Sequence, residues 1–83
     1  MAAASQSGGV VFVGPVRLSL RKARETALYF TDLAAATGDR AIAIEALALA
    51  EAHNEAHRWR RASGWADPYA ADRAAPIQSQ EGN

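Results

Sequence analysis

The chain has no cysteine, one lysine and one methionine, and its aromatic content is only 7%. Without thiols, neither a disulfide nor a thiolate zinc cluster can staple the 83 residues, so any core has to come from packing alone. No apolar run approaches the length of a membrane span. The start, "MAAASQSGGVVFV", has no basic leader, and its apolar run of four residues is too short for a signal peptide. A cytoplasmic protein that does not enter a membrane is expected. Nine basic and nine acidic side chains cancel, so bulk charge selects no class of partner. No glycine-rich phosphate loop is present, and no serine or carboxylate stands in a recognisable nucleophile or acid–base arrangement. The expectation is a non-enzyme with no cofactor.

What the chain does have is alanine, which supplies about half of its 49% hydrophobic content. Alanine favours helix but buries little area for each backbone residue it orders, so one copy alone makes a marginal core. High alanine and arginine with a single lysine is the usage of a GC-rich bacterial genome.

Residues 1–9 are small and polar without periodicity and read as a flexible leader. "VVFVGPVRLSL" then reads as extended over residues 10–20, one short strand or two, with a Gly14-Pro15 turn and Val16, Leu18 and Leu20 alternating with Arg17, Ser19 and Arg21. From Leu20 the period changes. Leu20, Ala23, Ala27, Phe30, Ala34 and Thr37 recur at three and four, predicting a helix over 21–37. Gly38 suits a left-handed helix end and Asp39 can cap the next helix, predicted over 40–61. In that helix Ile42, Ala43, Ala46, Leu47, Leu49 and Ala50 form one apolar face, yet Ile44 and Ala48 lie on another side. Such a helix calls for cover on two sides, from the extended segment, from a second copy, or from both. The predicted fold is therefore mainly α: a small helical domain over residues 10–63, in which a short extended segment precedes an antiparallel two-helix hairpin, completed by self-association through Ile44 and Ala48. Residues 64–83 read as a mostly disordered tail.

The stretch "EAHNEAHRWRR" sets His53 and His57 on the apolar face of the second helix, while Glu51 and Glu55 project from its far side. The carboxylates cannot complete a metal site with these imidazoles, and "HNEAH" lacks the glutamate that follows the first histidine in zinc proteases. No metal is predicted; packed histidines and a pH-sensitive interface both remain open.

Basic residues cluster twice, as Arg17, Arg21, Lys22 and Arg24, and as Arg58, Arg60 and Arg61 around Trp59. An antiparallel hairpin brings both clusters to one pole, with Asp32, Asp39 and Glu45 toward the turn. Arginines at the end of the second helix complement its dipole, whereas Arg21, Lys22 and Arg24 sit at the unfavourable end of the first. Pairing with Glu25, Glu51 and Glu55 and service to an anionic partner are the two explanations. Trp65 and Tyr69, four apart in "GWADPYAAD", form either a docking motif or a tail folding back on the hairpin. The functional expectation is a small adaptor or regulator that binds a protein or nucleic acid through the basic pole, the aromatic pair, or both.

The order of alternating strand, helix, glycine turn and helix over residues 16–58 resembles the ribbon-helix-helix family of dimeric DNA-binding proteins. The resemblance implies a DNA-binding regulator in which Arg17, Ser19 and Arg21 read bases while Val16, Leu18 and Leu20 face the dimer core. In place of that family's serine-rich, phosphate-gripping start to the second helix, this chain has "GDRAIAIE". The same segment, "GDRAIAIEALALA", is similar to the second helix of a tetratricopeptide hairpin, which implies close helix packing through Ala43 and Ala50. A single unit cannot form an array.

Overall fold

The computed structural model describes residues 3–70. Three strands, β1 (Ala4–Ser7), β2 (Val10–Val13) and β3 (Val16–Leu18), precede two helices, α1 (Leu20–Thr37) and α2 (Arg40–Ala62). The strands form an antiparallel meander in the order β1-β2-β3. Ser7 pairs with Val10 across Gly8-Gly9, and Val13 pairs with Val16 across Gly14-Pro15. Both loops have two residues, the length that demands positive φ; Gly8, Gly9 and Gly14 supply it at 58°, 83° and 59°.

Residues 4–7 are thus a strand, where the composition pointed to a flexible leader. Backbone pairing holds this segment, helped by Ala4, which packs at the edge of the core. Its polar side chains carry no hydrophobic alternation, but the Gly8-Gly9 turn returns it along β2, where the Gly14 N–H donates to the Ala3 carbonyl at 3.1 Å. Gln6 Oε1 accepts the Gly9 N–H at 3.2 Å and closes the turn from inside. Met1 and Ala2 lie outside the described residues.

The register puts Ala4, Gln6, Val11, Val13 and Leu18 on one face of the sheet and Ser5, Ser7, Phe12 and Arg17 on the other. The first face meets the helices. Val11, fully buried, joins Leu20, Ala23, Ala27, Leu49, Ala52 and Ala56 in a single core, and Ala4, Val13 and Leu18 pack around its edge. The sheet therefore covers the C-terminal half of α2, while Ile44, on the second apolar side read from the sequence, stays exposed.

The hairpin forms for the reasons its sequence implies. Ser19 caps α1 by accepting the Lys22 N–H at 3.0 Å. Gly38, at φ 72°, ends α1 with its N–H on the Ala34 carbonyl, and Asp39 caps α2 by accepting from Ala41 and Ile42. The predicted helices start and stop within a residue of the observed ones. Along α2 the buried strip drifts: Ala46 and Leu49 are inside, but Ala43 and Leu47 are exposed, and Ala52, His53, Ala56 and Arg60 continue the burial. Of the two alanines expected at the helix contact, Ala50 packs against the core while Ala43 lines an open groove beside it.

The chain does not end its packing at residue 63. The Trp65 N–H bonds the Arg60 carbonyl, the Asp67 carboxylate accepts the Tyr69 N–H at 2.9 Å, and Pro68 is buried. Residues 64–70, expected as the start of a disordered tail, fold back onto α2; the remainder of that tail, 71–83, lies outside the described residues.

Candidate functional site

The start of α1 and the end of α2 share one pole of the molecule because the hairpin is antiparallel. Arg21, Lys22 and Arg24 are exposed on the first turns of α1, Arg58 and Arg61 on the last turns of α2, and Arg17 on the outward face of β3. Between the two groups the returning segment places Tyr69. Two shallow depressions meet at this tyrosine: one of about 480 Å³ lined by Arg21, Arg24, Asp67 and Tyr69, the other of about 270 Å³ lined by His53, Asn54, His57, Arg58 and Tyr69. Arginines from both helices of the hairpin thus border a common surface, with an acid, Asp67, inside it.

Tyr69 is fixed by the histidines. Its hydroxyl lies 2.7 Å from His53 Nε2, and its ring centre is 5.9 Å from that of His53 and 5.7 Å from that of His57. His53 Nδ1 is 2.9 Å from Asn54 Oδ1. An amide oxygen only accepts, so in the neutral ring Nδ1 carries the proton and Nε2 accepts the Tyr69 O–H. Both ring nitrogens are engaged, and this buried histidine serves as a strut. His57 is partly exposed, and its pKa is held below 6.5 by burial first, then by coulombic interaction with His53, Arg61 and Arg60 around it. Among the described residues no three His, Asp or Glu side chains gather as metal ligands.

Arg60 stands apart from its basic neighbours. Expected as a partner-binding residue, it is only 6% exposed; its Nε donates to the Gly9 carbonyl at 2.8 Å, its Nη1 donates to the Pro68 carbonyl, and its guanidinium lies 4.9 Å from the Trp65 ring centre. Trp65 and Tyr69, taken together as a possible docking motif, are both half-buried in this internal network, the fold-back alternative. Trp59 is 43% exposed, and its ring edge lies against the Gly8-Gly9 turn. The sequence did carry a sign of the role of Arg60: it follows Ala56 by four residues and His53 by seven, on the buried strip of α2.

The three residues that the ribbon-helix-helix resemblance puts on one outward strand face do not share a strand. Arg17 is on β3, opposite Phe12 of β2, whereas Ser19 is the N-cap of α1 and Arg21 lies in its first turn. One edge of β3 is already paired within the chain. The proposed association residues are separated in kind: Ile44 is 63% exposed, while Ala48 is half-buried. No helix among the described residues is long and apolar enough to cross a membrane. Comparison with protein-family models, with curated proteins and with solved structures finds no match.

Proposed function

We propose that this chain is a small non-catalytic interaction module, an adaptor or regulator of the cytoplasm, that binds an acidic protein surface through its basic pole. The observation carrying this reading is the convergence of Arg24 and Arg58, from distant parts of the sequence, on two depressions that share Tyr69. Long cations bordering a surface already ordered by the His53–Tyr69 contact suit partner carboxylates. Asp67 adds a negative charge to the same surface, which disfavours a uniform polyanion such as a phosphate backbone relative to a protein of mixed charge. Part of this reading is that the module self-associates, since Ile44 and Leu47 leave apolar surface uncovered on α2.

The test is a pair of anisotropy titrations at several salt concentrations, one with a labelled Glu- and Asp-rich peptide and one with labelled duplex DNA. Tighter binding of the peptide, lost in the Arg24→Glu/Arg58→Glu double variant, supports the reading. Tighter binding of the duplex, with an affinity falling steeply with salt, replaces it with the DNA-binding alternative. Binding of neither probe at low salt removes the basic pole as a site.

A further inference from the structure

Directly opposite the buried strip of α2, a line of exposed residues runs along the helix at alternating steps of four and three: Arg40, Ile44, Leu47, Glu51, Asn54 and Arg58. This is heptad spacing, the pattern that keeps one seam of a helix facing another. Its two central members, Ile44 and Leu47, are 63% and 60% exposed, although both are large aliphatic side chains. They are flanked symmetrically. Arg40 precedes Ile44 by four residues, and Glu51 follows Leu47 by four.

We propose that this seam is the contact surface for a second copy of the chain, with α2 packed antiparallel on α2 about a two-fold axis between Ile44 and Leu47. The proposal rests on the self-association included in the function above and specifies its surface, direction and register. An axis at that point sets each Ile44 against the partner's Leu47 and each Arg40 against the partner's Glu51. The parallel arrangement in the same register stacks arginine on arginine and glutamate on glutamate. Charge therefore selects the direction, while the aliphatic pair supplies the attraction. The apolar stretch has only two large side chains, short for the roughly 1,200 Å² of a standard stable interface, so a weak, concentration-dependent dimer is expected.

The geometry has a consequence for partner binding. The basic poles lie at the far ends of the antiparallel pair, with the two α2 C-termini about 50 Å apart at 1.5 Å per residue from the axis. In this register only residues 40–51 of the seam face the partner's α2, so Arg58 and the rest of each pole stay uncovered. The dimer presents both outward, so that a partner with repeated acidic segments can engage the two at once.

Sedimentation velocity over a range of concentrations tests the proposal, with circular dichroism to check that each variant is folded. Ile44 and Leu47 are exposed in the single chain, so their replacement should leave the helix content unchanged. The wild type is expected to shift from monomer toward dimer as concentration rises, and Leu47→Glu to stay monomeric. Arg40→Glu alone should weaken the dimer several-fold, and the Arg40→Glu/Glu51→Arg double variant should restore it. A dimer untouched by Leu47→Glu overturns the seam while leaving self-association by another face. Failure of the charge swap to restore association overturns the antiparallel register. A wild type that is monomeric throughout overturns this inference and self-association together, yet leaves the basic pole standing.

Discussion

Arg60 Nε donates to the Gly9 carbonyl oxygen at 2.8 Å, across 51 residues of sequence. Through this bond and its second one to the Pro68 carbonyl, a single guanidinium joins the β1–β2 turn, the end of α2 and the returning segment. A buried cation is tolerated only where acceptors and a polarisable surface replace water; here two carbonyls and the Trp65 ring do so. Arg60→Ala leaves both carbonyls without this donor and should lower stability by about 3 kcal/mol, a large share for a domain of this size. Arg60→Lys should recover little of the loss, because one ammonium cannot reproduce the planar fork. Urea denaturation measures both variants. A midpoint unchanged in Arg60→Ala would show that water replaces these bonds without cost.

The helical hairpin was legible in the sequence because its signals are local. The Gly38–Asp39 junction, the period of α1 and the inward side of His53 all follow from spacing within one or two turns of helix. The rest depends on contacts between distant residues. Polar Ser5, Gln6 and Ser7 become a strand only because β2 is there to pair with them, and Arg60 becomes buried only because Gly9 and Pro68 arrive from either side. The basic pole was half legible. Its existence followed from the antiparallel hairpin, but its organisation around Tyr69 needed the returning segment, which composition alone marks as unstructured.

The two glycines of the β1–β2 turn should respond differently to substitution. Both have positive φ, but a β-carbon on Gly8 meets nothing within 4 Å, whereas one on Gly9 comes within 2.8 Å of Trp59 Cε3 and 3.0 Å of Arg60 Cγ. Gly8→Asn should be close to neutral, since asparagine tolerates the left-handed region in this type of turn. Gly9→Ala combines backbone strain with displacement of Trp59 or Arg60 and should cost about 2 kcal/mol. Thermal melting compares them. Equal losses at the two positions would mean that the Trp59 ring moves aside freely.

The surroundings of His57 set the sign of a pH dependence in the fold. Its pKa in the folded chain lies below the ordinary 6.5, because burial and then the charges of His53, Arg61 and Arg60 disfavour its protonated form. In the unfolded chain those constraints are absent, so between the two pKa values the unfolded state binds more protons than the folded one. This contribution to stability is complete above pH 6.5, declines as pH falls through that value, and stops declining once the folded pKa is passed. Urea midpoints measured from about pH 8 to about pH 5.5, a window above the carboxylate range, should therefore fall with acidification in the wild type. His57→Gln removes the titrating group and should flatten the slope. A wild-type midpoint that rises on acidification would mean that the imidazolium of His57 finds a favourable acidic partner in the folded chain, with Asp67, across Tyr69, the first to test.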